Sequence, residues 1–242
     1  MFNFINISLN ISYLYTLIRK TLKMATKKTT ITKDKIVSLY MNYVLDHSEK
    51  PKSVYHFTKI NDFTETEFYA FFGTIESIEK EIFKMFVEKT IDLLNKNKEY
   101  EMYDMKSKIL SFYFTFFEIL TANRSYVVLV LQEHNNQLKK LMQLSGLKNS
   151  FKNFLTEIIS DDFRTQQEKL QNFQERAFQE TSWIQLLLTL KFWLDDASPS
   201  FEKTDIYIEK SVKVTFELMN IAPIDSLIDF GKFIFKEKIY NK

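Results

Sequence analysis

The side chains that could perform acid–base, nucleophilic or metal chemistry are few in this sequence and poorly spaced for it. Histidine occurs only as His47, His56 and His134, and no two of these have the spacing of metal ligands. The chain also lacks cysteine, so a thiolate metal site and a disulfide framework are both excluded. The sequence therefore predicts no metal centre.

The carboxylates and serines point away from catalysis as well. Asp161–Asp162 and Asp195–Asp196 are adjacent pairs, and neighbours on a helix diverge by about 100°, so neither pair is expected to share a site. We expect both pairs to solvate helix ends. No serine stands between glycines as in a nucleophile elbow. The sequence predicts no catalytic residue, no cofactor and no enzymatic activity.

The elements that position these side chains follow from the composition. The 242 residues include only 3 Gly and 3 Pro but 24 Phe and 12 Tyr, whereas average usage is about 7% Gly and about 5% Pro. Phosphate-binding loops and hairpin-rich β folds need more glycine than this. We therefore predict an all-α protein with an aromatic interior. The absence of cysteine favours a reducing, cytoplasmic location.

The N-terminal segment has a different character from the rest. Residues 1–33 carry six basic side chains and no acid, whereas the whole chain is nearly balanced, with a net charge of +2. Residues 2–18 are apolar but interrupted by Asn and Ser, so we expect no stable membrane insertion. Residues 1–23 are interpreted as a leader or extended start. The basic arm is either a flexible tail or a segment that follows DNA phosphates.

Residues 32–73 show the pattern of three short helices. A helix with a 3.6-residue apolar period follows Thr32 and ends near His47. Ser53 is a good N-cap for a second helix, and Thr64 for a third. Between them, Asn61–Asp62 suits a left-handed turn. This is the spacing of a helix-turn-helix.

The residues of this segment also resemble a known family. The stretch 53–78, SVYHFTKINDFTETEFYAFFGTIESI, is similar to the DNA-binding head of the TetR family of bacterial repressors. Residues 68–72 (FYAFF) match the aromatic signature that ends its recognition helix, Phe57 and Phe63 its core positions, and Thr64 its polar cap. The resemblance implies a TetR-like fold, with a helix-turn-helix head at 24–78 and a helical ligand-binding and dimerisation body at 79–242.

The head departs from the family pattern at several positions. Asp62 stands at the turn where the family has Gly, and Ile75 stands where it has a phosphate-binding Lys. Glu65 and Glu67 lie at the tip of the recognition helix. Residues 24–73 contain seven Lys and six acids, so the head carries a charge of only +1. These acids oppose phosphate binding, although a Glu can accept a hydrogen bond from cytosine in the major groove.

The resemblance implies a set of DNA-contacting residues in the head. If the head docks on DNA, the residues placed to touch phosphates or base edges are Lys52, Ser53, Lys59, Thr64, Glu65, Thr66 and Tyr69. Otherwise these positions form a solvated face with a cap. For Tyr69 the alternative is a core tyrosine that closes the head.

The body is predicted as a series of longer helices. Their predicted ranges are 76–95, 102–120, 124–144, 148–162, 178–194, 198–220 and 224–235. Residues 126–131 have strand propensity but no partner strand, and Gly146 is interpreted as a break between helices. We expect a homodimer through about 178–220.

Aromatic and apolar side chains of the body are candidates for a cavity that binds an apolar small molecule. The predicted ligand-binding residues are Phe112, Tyr113, Phe116, Trp183 and Leu187. Two functions follow from the resemblance. One is a ligand-controlled transcriptional regulator that binds operator DNA as a dimer. The alternative is a TetR-fold module that binds lipid or another hydrophobic molecule without binding DNA.

Overall fold

The computed structural model describes residues 31–132, 143–159 and 168–221, and these ranges contain α-helices and no strands. The prediction of an all-α protein is confirmed. The helices are α1 Lys33–His47, α2 Val54–Ile60, α3 Glu65–Tyr69, α4 Ile75–Leu94, α5 Met105–Ala122, α6 Arg124–Gln132, α7 Ser145–Ile159, α8 Glu168–Asp195 and α9 Glu202–Ile221, with 3₁₀ turns at Tyr100–Met102 and Pro199–Phe201. The predicted leader and the predicted helix 224–235 lie outside the described residues.

Local hydrogen bonds set the boundaries of the head helices as the sequence predicts. Ser53 Oγ accepts the His56 N–H (3.1 Å) at the start of α2. Thr64 caps α3 and forms a reciprocal capping box with Glu67. Between them Asp62 has φ 56°, a left-handed conformation that Asp tolerates. The turn therefore forms without glycine.

An aromatic cluster around Phe57 holds the three head helices together. Phe57 is completely buried and makes edge contacts with Tyr40 of α1 (6.0 Å between centroids), Phe63 (5.6 Å) and Phe68 of α3 (6.3 Å). Edge-to-face pairs of this kind add to the stabilisation from burial. The predicted core roles of Phe57 and Phe63 agree with this packing.

The body is built around α4 and α5. Helix α4 leaves the head and packs against α5 and α7, while α8 packs against α7 and α9, and α9 returns onto α5. Helix α6 contacts α1, so the body also reaches the head directly. No single helix in the described ranges is long and apolar enough to span a membrane; α5 and residues 124–131 meet that criterion only as a pair bent by 87°.

Three details differ from the predicted elements. Residues 126–131 belong to α6, where Val127 and Val130 are buried, so their strand propensity yields to helical packing. Helix α8 begins at Glu168 rather than at 178. The sequence did not indicate this earlier start, because the polar first part of the helix lacks a clear apolar period. Helix α7 begins at Ser145 rather than at 148, so Gly146 lies in its first turn.

Asp196 organises the corner between α8 and α9. It is 7% exposed, and its carboxylate accepts hydrogen bonds from the N–H and hydroxyl groups of Ser198 (2.8 and 2.7 Å) and Thr204 (3.0 and 2.7 Å). Burial alone would raise the pKa of Asp196, but these hydrogen bonds outweigh it and lower the pKa to about 2. Asp196 therefore does not serve as the solvated helix end that the sequence predicted, whereas Asp195 pairs with Lys191 in solvent.

We expect Asp196→Asn to lower the free energy of unfolding by about 2 kcal/mol at pH 7, because an amide cannot accept all four hydrogen bonds. The folded pKa lies below the unfolded value of about 3.9, so this stabilisation is complete above about pH 5 and is lost as the pH falls towards about 2. Urea denaturation at pH 7 and pH 3 measures the difference. Asp195→Asn is the control, and an equal loss for both variants, or a loss independent of pH, would contradict the assignment.

Candidate nucleic-acid interface

The residues predicted to contact DNA lie on and around α2 and α3, and all seven are exposed. Lys52 and Ser53 precede α2, and Lys59 lies in its last turn. Thr64, Glu65 and Thr66 lie at the start of α3 and Tyr69 at its end. Folding therefore leaves the whole predicted set accessible from solvent.

The two acids at the tip of α3 have different surroundings. The Glu67 carboxylate accepts hydrogen bonds from the backbone N–H and the hydroxyl of Thr64, both at 2.8 Å, so it serves the helix cap. Glu65 is exposed at the first position of the helix. Only Glu65 is thus presented to an approaching ligand without a part in the cap.

Tyr69 lies outside the core of the head. It is 55% exposed, and its ring lies at 90° to that of Phe68 with 5.5 Å between the ring centroids, whereas Phe68 and Phe72 occupy the buried positions. Of the two interpretations of this side chain, the core tyrosine does not fit this exposure. Tyr55 (58%) and Phe71 (43%) are also exposed, so the head surface is aromatic as well as polar.

The basic side chains of the interface are sparse. Lys59 lies over the Tyr55 ring, with its Nζ 5.4 Å from the ring centroid and 3.4 Å from the hydroxyl. Ile75 starts α4 as a buried residue, so the position where the family has a phosphate-binding Lys is part of the core here. Lys52 and Lys59 are the only cations in the predicted contact set.

A buried glutamate that was not among the predicted site residues connects α4 to α1, to Lys50 and to Gln143. Glu79, in the second turn of α4, has a side chain only 1% exposed. Its carboxylate accepts from the Tyr40 hydroxyl (2.7 Å), from Lys50 Nζ (2.7 and 2.9 Å) and from the side-chain amide of Gln143 (2.9 Å). An acid on the inward stripe of α4, beside Ile78 and Ile82, was the signal in the sequence.

The predicted ligand-binding residues lie in the interior of the body. Phe112, Tyr113 and Phe116 are completely buried on α5, and Phe112 stacks on Phe154 of α7 at 4.6 Å. The Tyr113 hydroxyl donates to the Ser182 carbonyl at 3.3 Å, next to Trp183 on α8. Leu187 is partly buried one turn further along α8. The side chains on α5 are thus packed against the neighbouring helices.

An apolar groove runs between α8 and α9 on the surface of the body. Its volume is about 480 Å³, and Ile184, Leu188, Tyr207 and Val214 line it together with polar side chains. Ile184 (56%), Leu188 (52%), Ile206 (50%) and Val214 (50%) are large apolar residues exposed on these two helices. Exposed apolar side chains on neighbouring helices are candidates for a protein–protein interface.

The described ranges contain no group of three His, Asp or Glu side chains that could hold a metal ion.

A model of the family described as tetracyclin repressor-like, C-terminal domain, matches residues 108–234, which is more than half of the chain. No curated protein matches the chain significantly.

Proposed function

Since this chain belongs to the tetracyclin repressor-like family, we propose that it is a transcriptional regulator that binds operator DNA as a homodimer and responds to an apolar small molecule. The observation that carries the proposal is the capped α2–turn–α3 unit, whose predicted contact residues are all exposed. Helix α3 would enter the major groove, while Lys52, Lys59 and Tyr69 would contact phosphates. Glu65 and Thr66 would face base edges.

Binding to the DNA upstream of its own gene tests this proposal. Fluorescence anisotropy over a salt series is expected to give an affinity that falls as salt rises, because binding releases counterions from phosphates. Lys59→Ala should weaken binding similarly for all sequences and reduce the slope of log K against log salt by about 1. Lys98→Ala, an exposed change beyond the far end of α4, is the control. Absence of any salt-dependent binding at low salt would exclude the regulator.

The homodimer would form through the groove between α8 and α9. A two-fold axis there would bury the exposed apolar residues of both copies against one another. The two heads of the dimer would then each bind one half-site of the operator. Leu188→Glu should then raise the dimer dissociation constant about 100-fold or more, since it buries an unpaired charge. Analytical ultracentrifugation measures this. Met102→Glu, at an 80% exposed site away from the groove, should leave the dimer intact.

The small molecule would bind in the body among Phe112, Tyr113, Phe116, Trp183 and Leu187. Support comes from the burial of the four aromatic residues, beside which the Tyr113 hydroxyl supplies a polar group. Because these aromatic rings contact their neighbours, a ligand would have to displace them. Mass spectrometry of organic extracts from the purified protein would identify a co-purified hydrophobic molecule.

A second candidate function is a lipid-binding module without DNA binding. It is favoured by the head surface, where Glu65 and the apolar residues Tyr55, Ile60 and Phe71 are exposed and only two lysines belong to the contact set. A co-purified lipid together with no salt-dependent DNA binding would support this module. Salt-dependent binding to the upstream DNA would exclude it.

A further inference from the structure

We propose that the hydrogen bond between Gln143 and Glu79 is a contact through which the body sets the orientation of the head, in addition to the packing of α6 against α1. Its meaning for regulation rests on the function proposed above. Glu79 of α4 also binds Tyr40 and Lys50 of the head, and Gln143 lies two positions before α7, so the bond lies at the junction between head and body. Both side chains are buried in the protein.

The head side of this junction is the stronger one. Glu79 receives two groups from this side, the ammonium of Lys50 and the hydroxyl of Tyr40, and the Lys50 bond joins two opposite charges. A second ion pair joins Lys33 of α1 to Glu81 of α4. Helices α1 and α2 and the start of α4 are therefore expected to move as one unit.

The body side is weaker. Gln143 contributes a neutral amide, and its buried Oε1 has no hydrogen-bond partner among the described residues. An unsatisfied buried acceptor costs free energy, and this cost offsets part of what the bond to Glu79 contributes. If the junction separates, it should do so at Gln143 rather than at Lys50 or Tyr40.

Packing connects Gln143 to the interior of the body. Helix α7 begins at Ser145, and the backbone at Gly146 lies against the Lys80 carbonyl of α4. Further along α7, Phe151 and Phe154 contact Phe112, one of the predicted ligand-binding residues. A molecule that displaces the ring of Phe112 would therefore shift α7, and with it the Gln143–Glu79 contact. Loss of that contact would free the head to change its angle on the body.

Distance measurement by electron paramagnetic resonance tests the proposal directly. Because the chain has no cysteine, Asp46→Cys on α1 and Asn153→Cys on α7 introduce two unique, exposed labelling sites. Dilution with unlabelled protein restricts the measured pairs to single chains. Gln143→Leu and Gln143→Met should broaden or shift the distance distribution relative to the unsubstituted chain. Thr90→Val should not, since it removes a buried hydroxyl of α4 that bonds only within its own helix.

Circular dichroism establishes which variants are folded. Two different substitutions at Gln143 are made so that the test remains possible if one of them does not fold. Unchanged distance distributions in the folded Gln143 variants would overturn the proposal. If the unsubstituted protein binds its upstream DNA, these variants should also change the dissociation constant about tenfold, while Thr90→Val leaves it unchanged. If it binds no DNA, the proposed function fails, but the distance measurement still decides whether Gln143 sets the head orientation.

Discussion

Replacing Lys50 with Met is expected to lower the free energy of unfolding by about 3–5 kcal/mol, the largest loss that we predict for a single substitution. The reason is that the Glu79 carboxyl, with a side chain 1% exposed, would stay buried without the ammonium that pairs with it. The Tyr40 and Gln143 hydrogen bonds would remain but cannot neutralise a carboxylate. Urea or guanidinium denaturation at pH 7 measures the loss.

A double-mutant cycle separates this electrostatic effect from lost packing. Glu79→Gln in the Lys50→Met background should recover at least about 2 kcal/mol, because a neutral amide tolerates burial without a cation. Lys52→Met, two residues away on the exposed surface, should change stability by less than about 0.5 kcal/mol. A Lys50→Met variant as stable as Lys52→Met would show that Glu79 does not need its ion pair.

Gly146→Ala is expected to destabilise the protein by about 2–3 kcal/mol, although Ala is normally the better residue in a helix by about 1 kcal/mol. A Cβ atom at position 146 would lie 2.2 Å from the Lys80 carbonyl oxygen and 3.3 Å from Lys84 Cβ. The first of these contacts involves backbone, so α7 would have to move away from α4. Thermal denaturation should show a melting temperature lower by several degrees.

Gly73→Ala is the matched control for this substitution. Nothing lies within 4 Å of a Cβ atom at position 73, and its φ angle is not positive. The change should therefore be neutral or stabilise by up to about 1 kcal/mol through the unfolded state. Equal melting temperatures for the two alanine variants would mean that α4 and α7 can separate without cost.

The head was predictable from sequence because its boundaries depend on local hydrogen bonds. Ser53 and Thr64 cap helices that start within three residues of them, and Asp62 adopts the left-handed conformation within a short turn. None of these features needs a distant partner. The start of α8 was missed because its polar first part has no apolar period that a short stretch of sequence would show.

The same difference between local features and distant contacts applies to the candidate sites. Residue types and spacing indicated which head side chains could meet DNA, but not whether Tyr69 would be buried or exposed. The partners of Glu79 lie in three separate segments of the chain, so its role could not be read from its neighbours in sequence. Gly146 shows the same limit, because the reason for its small size is a backbone that precedes it by more than sixty residues.

The sequence by itself determined an all-helical protein, the limits of the helix-turn-helix and the family resemblance, because helical period, caps and turn residues act over a few neighbouring positions. The tertiary structure alone decided that Glu79 joins the head to the body, that Gly146 permits the close approach of α4 and α7, and that an apolar groove stays exposed between α8 and α9. Those features depend on which distant segments come into contact, and a pattern over a few neighbouring residues does not specify those contacts.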